Sequence, residues 1–291
     1  MPDRPTHQLS PLETLNFLVT NRIPRRWSTL FMGWFSRIER PLVARLSIAI
    51  WRAFVDDLRL QEAEATDFPS MHACFTRRLK SGARPVDTDP AVLTSPCDAV
   101  VGAYGAIEDT TLFQAKGFPY TLEDLLGDAS LVDRYRGGHF ITLRLKSSMY
   151  HRFHAPADCQ LAEVNYISGD TWNVNPITLR RIERLFCRNE RAVLDLELPS
   201  GDHIALVPIA AILVASIHMD CLPETLDLRY DGPNRIPCDA AFSRGDEMGY
   251  FQHGSTIVML APRRCAPCAG VVTGEIVRAG QALLRHPDIS L

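Results

Sequence analysis

The sequence predicts an α+β protein in which an N-terminal helical segment precedes a β-rich core. Apolar residues recur at helical spacing early in the chain, whereas short apolar segments separated by Gly and Pro follow residue 90. With 46% hydrophobic residues, a chain of 291 residues can bury one large core. We therefore divide the chain into a helical region, 1–66, and a core region, 67–291.

The segment from Arg22 to Arg52 differs in charge from the rest of the chain. It carries seven arginines, a single acid (Glu39) and three of the four tryptophans. Tryptophan and arginine suit a membrane interface, where the indole lies at headgroup depth and the guanidinium attracts anionic lipid. The helical apolar stripe consists of Leu30, Phe31, Trp34, Phe35 and Ile38. We predict a membrane-associating helix here; the alternative is an ordinary amphipathic helix packed on the core.

The core region contains recognisable strands and turns. "AVLTSPCDAVVGAYGAI" and "HFITLRL" predict strands, and "LEDLLGD" (122–128) predicts a short helical turn. "RAVLDLELPSGDHIALVPI" predicts a hairpin that turns at residues 199–201. The tail "CAGVVTGEIVRAGQALL" has apolar pairs separated by Gly, a pattern typical of small barrels with tight turns.

Composition excludes several classes of protein. A net charge of -3 argues against a general nucleic-acid binder. The eight cysteines include one CxxC, Cys265 and Cys268, which cannot complete a metal site alone, so we predict no metal and a reducing compartment. No basic start followed by an apolar core marks a secretory signal, and the longest apolar stretch, Ile204–Ile217, is too short to span a bilayer.

Three short stretches carry candidate chemistry. His151 and His154 stand three apart, so on a strand they would face opposite sides unless the chain turns near them. Such a pair is open to a structural or a catalytic interpretation, and Asp98 alone is a plausible turn carboxylate. Ser255 follows Gly254 at the start of an apolar run, but Thr256 and Ile257 rule out a G-x-S-x-G elbow, so the hydrolase signal is weak.

Taken together, these stretches resemble the pyruvoyl-dependent phosphatidylserine decarboxylases. The resemblance covers the chain from about residue 68 to its end, in the order and spacing of that family. It rests on "FTRRLKSGARP" (75–85), "SPCDAVV", "QAKGFPYTLEDLLG" (114–127), "YHRFHAP", "NVNPITLRRIERLFCRNER" (173–191), "ALVPIAA" (205–211) and "GDEMGYFQHGSTIVML" (245–260).

The resemblance implies that the chain cleaves itself between Gly254 and Ser255, giving a 1–254 chain and a 255–291 chain that stay associated. A residue without Cβ at position 254 would leave its carbonyl accessible to the Ser255 hydroxyl. The resemblance assigns the base to His154, oriented by Asp98, in the logic of a serine triad. Ser255 then becomes a covalent pyruvoyl cofactor, and His151 is assigned to the substrate as proton donor.

The implied activity converts phosphatidylserine to phosphatidylethanolamine and CO2 through a Schiff base with the pyruvoyl group, whose carbonyl accepts the electrons released. The resemblance also implies a homodimer of processed protomers. Because the substrate is an anionic lipid, we expect peripheral association with the cytoplasmic face of a membrane and no nucleic-acid partner. The basic N-terminal segment would hold the enzyme at that surface.

The sequence departs from the family pattern at several points. His253 stands where an apolar or small residue commonly precedes Gly-Ser, and Ala99 and Cys159 each replace a glycine. "LKSSMYHRF" lacks the Pro and Asp that usually precede Tyr-His. Three alternatives stay open: a non-catalytic membrane-binding protein of the same fold, a pyruvoyl decarboxylase for another amino-acid-type substrate, and a pyridoxal-phosphate enzyme. The last needs a Schiff-base lysine, and the three lysines, Lys80, Lys116 and Lys146, lie in no convincing cofactor setting.

Overall fold

The structure is a computed structural model that describes residues 14, 18, 24–55, 57–115, 118–213, 216–252 and 255–287. The helices of the described chain are α1 (Arg25–Phe35), α2 (Pro41–Phe54), α3 (Met71–Phe75), α4 (Leu122–Leu126), α5 (Ala129–Tyr135), α6 (Pro176–Leu179) and α7 (Leu185–Arg188). The strands are β1 (Val92–Thr94), β2 (Ala99–Ala106), β3 (Thr111–Ala115), β4 (Phe118–Thr121), β5 (His139–Leu145), β6 (Arg152–His154), β7 (Cys159–Ile167), β8 (Arg191–Glu197), β9 (His203–Ala210), β10 (Ser216–Met219), β11 (Leu226–Asp227), β12 (Arg235–Phe242), β13 (Glu247–Phe251), β14 (Ser255–Ala261), β15 (Ala266–Pro267), β16 (Ile276–Val277) and β17 (Ala282–Arg285). The α+β class with a β-rich core is confirmed.

The basic segment forms two helices, where the sequence predicts one. Arg40 has extended backbone (φ -117°, ψ 122°) because the following Pro41 disfavours helical backbone in the residue before it. Pro41 then occupies the first turn of α2, where its missing N–H costs nothing. Residues 1–13, 15–17, 19–23 and 56 of the predicted helical region lie outside the described residues, and the division at 66/67 stays a prediction.

The inner sides of these helices pack on the core. Trp51 of α2 stacks on Phe75 of α3, with ring centroids 5.5 Å apart, in a small cluster with Leu58 and Cys74. At the other end, Arg25 of α1 forms an ion pair with Asp170 at 2.6 Å. The helical segment is therefore anchored to the β-rich core at both ends.

The outer sides of α1 and α2 expose large apolar side chains. Their spacing of three or four residues places them along one side of each helix. We call this set the apolar helix face: Trp27, Phe31 and Trp34 of α1, with Leu42, Leu46, Ile50 and Phe54 of α2. None of the described helices is long and apolar enough to cross a bilayer.

The core is an antiparallel sheet of eight strands in the order β12-β7-β8-β9-β14-β5-β2-β16. Alternate residues of its central strand β14 enter two separate cores: Ile257 and Met259 one, Val258 and Leu260 the other. Burial on both faces explains why this stretch is apolar throughout rather than alternating with polar residues. A smaller sheet, β11-β10-β13-β6, lies against the first core, to which Phe153 and Phe251 belong.

The Gly-rich tail does not form the small barrel that the sequence predicts. Its short strands are divided between two sheets: β16 pairs with β2 at the edge of the main sheet, and β17 pairs with β1 and β15. Gly270, Gly274 and Gly280 all have positive φ, from 85° to 97°, so each permits a turn between these strands. The main sheet is open, because no pairing between its edge strands β12 and β16 exists in the described residues.

Candidate active site

Ser255 is the first residue of β14 and is fully buried in the middle of the main sheet. It pairs with Ala210 of β9 on one side and with Leu145 of β5 on the other. A strand held by neighbours on both sides has little freedom to move. The backbone therefore fixes the position of the Ser255 hydroxyl at the end of the sheet.

The hydroxyl groups of Ser255 and Thr256 are buried and have no hydrogen-bond partner among the described residues. Burying a hydroxyl without a partner typically costs about 1–3 kcal/mol, so such groups are rare and call for an explanation. A nucleophile that reacts with the adjacent peptide bond is one explanation for Ser255. Gly254, the predicted other half of the cleavage site, and His253 lie outside the described residues.

His151 lies beside the segment that leads to Ser255. Its carbonyl accepts a hydrogen bond from the Phe251 backbone N–H at 2.9 Å, so it stands at the end of β13 from which residues 252–254 continue to Ser255. Its Nδ1 lies 2.7 Å from the Met149 carbonyl, which can only accept, so Nδ1 carries a proton. The fully buried ring packs on Phe75 with centroids 4.0 Å apart, which links it to the N-terminal helices.

His154 stands at the other end of β13, opposite Glu247. Its Nδ1 donates to the Gly245 carbonyl at 3.0 Å, so Nε2 accepts the hydrogen bond of the Tyr150 hydroxyl, also at 3.0 Å. Burial lowers the pKa of His154, and the hydrogen bond to Gly245 and nearby carboxylates oppose the shift only in part. The imidazole is thus neutral at physiological pH, the form that a general base requires.

Asp98 is fully buried and is held by two arginines. Arg84 donates two hydrogen bonds to it, at 2.7 and 2.6 Å, and Arg278 and the Ala279 N–H donate one each, at 2.8 and 3.0 Å. Burial by itself would raise the pKa of Asp98, but the hydrogen bonds and charges of the arginines lower it below its usual value. Asp98 is therefore ionised, and all of its acceptor positions are in use.

The structure brings Asp98 near His154 without the hydrogen bond that a serine triad would have. Both ring nitrogens of His154 are bonded elsewhere, and the Asp98 charge only offsets part of the lowering of the His154 pKa that burial causes. The strand register also separates the two histidines, because His151 lies at the Ser255 end of β13 and His154 at the opposite end. The three residue steps from His151 to His154 span at most about 10 Å.

Sequence reasoning missed the residues that connect these groups. Tyr150 joins the site through His154, and burial raises its pKa. Arg84 and Arg278 form the charged surroundings of Asp98, to which Glu62 adds a second partner for Arg84 at 2.9 Å. Arg84 and Tyr150 lie inside the quoted blocks "FTRRLKSGARP" and "YHRFHAP", so the signal for both was present, whereas Arg278 lies 180 residues from Asp98.

Two cavities flank the loop that follows β5. One, of about 420 Å³, opens at the Ser255 end of the main sheet and is lined by Leu145 and Ala211 among others. The second, of about 410 Å³, is lined by Asp98 and Tyr150. Lys146 and Ser148 line both, so the loop of residues 146–148 stands between the Ser255 side and the Asp98 side of the site. In the part of the chain that the structure describes, no three His, Cys, Asp or Glu side chains group as metal ligands would.

Comparison with known proteins identifies the family. Residues 71–285 match the family model of phosphatidylserine decarboxylase, and this range contains Asp98, His151, His154 and Ser255. The chain belongs to the phosphatidylserine decarboxylase family. A phosphatidylserine decarboxylase proenzyme of Sodalis glossinidius is 34% identical over 94% of this chain and 96% of its own length. Proenzymes of the same name from Dickeya dadantii and Coxiella burnetii are 32% and 34% identical over 95% and 87% of the chain, and over 94% of their own lengths in both cases.

The family assignment confirms the resemblance that the sequence indicates and extends it to the N-terminal helices. The matches to the phosphatidylserine decarboxylase proenzymes cover more of the chain than the family model does, so they include helices that precede residue 71. Proenzyme is the name of a precursor. The roles of the individual residues in this phosphatidylserine decarboxylase fold remain predictions.

Proposed function

We propose that this chain cleaves itself before Ser255 and then decarboxylates phosphatidylserine to phosphatidylethanolamine and CO2. The observation that carries the proposal is the Ser255 hydroxyl, buried and unbonded among the described residues, at the first position of a strand fixed on both sides. Family membership supports the activity, because the relatives are named phosphatidylserine decarboxylase proenzymes.

In the cleavage step, Ser255 Oγ attacks the carbonyl carbon of residue 254 while a base removes the hydroxyl proton. The C–O bond forms, the C–N bond breaks, and the freed amine stays on Ser255, so the peptide becomes an ester. β-Elimination releases the 1–254 chain as a carboxylate, and hydrolysis of the resulting dehydroalanine gives ammonia and a pyruvoyl cap on residue 255. Two histidines are candidate bases. One is the neutral ring of His154, whose Nε2 accepts a hydrogen bond from Tyr150, and the other is the ring of His151, which is protonated at Nδ1.

The residues at Ser255 fit a pyruvoyl group. The pyruvoyl group would stand at the start of β14, where Ser255 pairs with Leu145 and Ala210. The Ser255 hydroxyl has no hydrogen-bond partner among the described residues, so its conversion would break no such bond. A pyruvoyl group supplies an electron sink for the loss of CO2 from an amino acid. His151 would take up a proton at Nε2 and then deliver it to the reacting carbon, and the surrounding buried strands exclude water from that carbon.

We propose that the apolar helix face places the site at a lipid surface. Large apolar patches on a soluble protein usually mark a binding surface, and this one joins two neighbouring helices. Exposed arginines beside it, Arg40, Arg45 and Arg52, would attract anionic lipid. The protein would then be peripheral, on the cytoplasmic face where such lipids lie, and we expect a homodimer of processed protomers.

Denaturing mass spectrometry tests the processing. The wild-type protein should give two chains, 1–254 and 255–291, the second with a pyruvoyl group at its N-terminus, and vesicles containing phosphatidylserine should release CO2. Ser255→Ala should stay full length, whereas Thr256→Val, which removes the neighbouring buried hydroxyl, should be cleaved. A full-length wild-type protein with an intact Ser255 would favour the non-catalytic alternative.

A further inference from the structure

The cavity at the Ser255 end of the sheet has a basic lining. It takes side chains from the end of β5 and the loop after it, from the segment before α6, and from the segment after β9. Arg144 and Lys146 are its charged residues, and no Asp or Glu occurs among its described lining residues. Asn173, Asn175 and two serines add polar groups. The described lining therefore favours an anion.

Arg144 is the group in this lining that needs a ligand. It lies on β5 directly opposite Thr256 of β14 and is half-buried, yet it makes no ion pair or hydrogen bond within the described residues. Burial lowers its pKa, and no carboxylate offsets the shift. By contrast, the buried Arg77, Arg152 and Arg191 all donate to backbone carbonyls. A half-buried guanidinium with no acceptor in the described protein, on the wall of a cavity, is a favourable position for a bound anion.

The cavity also reaches the apolar helix face. Phe54, the last residue of α2 and 85% exposed, belongs to both. An amphiphilic molecule could thus keep its acyl part on α2 while its polar head enters the cavity at the end of the main sheet where β14 begins. The shape and charge together fit an anionic lipid headgroup.

Phosphatidylserine carries two anionic groups, and the reaction distinguishes them. The carboxylate loses its charge as CO2 leaves, so an arginine bound to it would stabilise the substrate more than the transition state and slow the reaction. The phosphodiester keeps its charge throughout, so an arginine bound to it strengthens binding without opposing the chemistry. We infer that Arg144 binds the phosphodiester of the lipid headgroup in this cavity, and that it selects phosphodiester-linked serine over other serine derivatives. The inference rests on the proposed decarboxylase function.

The test compares two serine substrates that differ in the linkage. Glycerophosphoserine has the phosphodiester, and an O-alkyl serine ether has the same amine and carboxylate without it. Arg144→Gln should raise KM for glycerophosphoserine about 10- to 100-fold with kcat within about twofold, and should leave KM for the ether unchanged. Arg144→Lys should recover part of the affinity, because lysine restores the charge but not the two-point contact.

Arg263→Gln is the matched control, since Arg263 is an exposed arginine beyond the opposite end of β14. It should change neither KM. Arg144→Gln should be processed normally and should not lower the thermal midpoint, because it removes a cation that has no described partner. The inference is wrong if both substrates weaken equally, if kcat falls while KM holds, or if the variant remains uncleaved.

Calorimetry with glycerophosphoethanolamine separates this inference from the proposed function. Suppose that glycerophosphoethanolamine binds the wild-type protein but not Arg144→Gln, and that the wild-type protein does not turn over phosphatidylserine. This result would support the phosphodiester subsite and reject the decarboxylase activity. Turnover with the same KM in wild type and Arg144→Gln would support the activity and reject the subsite.

Discussion

Replacing Phe31 and Trp34 with Ser should weaken binding to lipid vesicles at every salt concentration. The two side chains are 57% and 63% exposed, which for aromatic residues of about 200 Å² each leaves about 240 Å² in contact with water. Full transfer of this area to hydrocarbon would contribute about 6 kcal/mol at about 25 cal/mol/Å². A helix lying in the interface buries one side only, so we expect about 3 kcal/mol, or at least about a 100-fold weaker partition coefficient.

The charged part of the binding should behave differently. Three arginines of the segment already form hydrogen bonds or ion pairs with core residues, so they are poor choices for a charge variant: Arg25, Arg26 and Arg37. Replacing the exposed arginines instead should weaken binding mainly at low salt, because the Debye length shortens from about 30 Å at 0.01 M to about 8 Å at 0.15 M. These exposed arginines are Arg40, Arg45 and Arg52.

Co-sedimentation with anionic vesicles across a salt series measures both effects, beside a gel of the processed chains. Val272→Ser with Ile276→Ser is the matched control, since these residues are half-exposed and apolar but lie in the C-terminal tail. Unchanged binding of the Phe31/Trp34 variant, or an equal loss in the control, would refute the assignment of the apolar helix face. Self-cleavage should proceed in all of these variants.

Two further predictions concern titratable groups. His154→Ala should accumulate as full-length precursor and His151→Ala should cleave but decarboxylate poorly, as mass spectrometry and CO2 release would show. The reverse pattern would refute this assignment and exchange the two roles. Burial raises the pKa of Glu190 from 4.5 to about 7, although Tyr166 donates a hydrogen bond to its carboxylate. Between these pH values the folded chain keeps a proton that the unfolded chain releases. The free energy of unfolding therefore falls as pH rises from 4.5 through 7. In uncleaved Ser255→Ala protein, Glu190→Gln should therefore gain roughly 2–3 kcal/mol relative to Glu190 between pH 5 and pH 8, measured by urea unfolding; a constant difference across this range would show that Glu190 is ionised in the fold.

Local chemistry made much of the fold predictable. The strand at 139–145, the helical turn after residue 121 and the hairpin between β8 and β9 all follow from nearby residues, such as the Thr121 capping box and Gly201 at φ 79°. The tail was not predictable in the same way. Its glycines indicate turns, but which strand each segment joins depends on partners more than 100 residues away, such as Val100 for Ile276.

The candidate site shows the same limit. Ser255, His151, His154 and Asp98 could be selected from short motifs, and their roles stay predictions. The arginine partners of Asp98 and the Tyr150 contact of His154 depend on how distant segments meet, which spacing along the chain does not reveal. A basic cavity beside Arg144 likewise exists only once β5, β9 and α2 are assembled.

The position of β14 determines what self-cleavage would do to the folded protein. A cut before Ser255 would turn one chain into two, yet the shorter piece supplies the central strand of the main sheet, an edge strand and the strand β17 beside β1. The pieces could separate only if the whole sheet came apart, and their reunion would be a second-order encounter between unfolded fragments. Recovery from denaturation would thus depend on protein concentration in the mature form and not in the precursor. The lifetime of the mature enzyme would be set by how rarely the sheet opens, rather than by how readily the chain refolds.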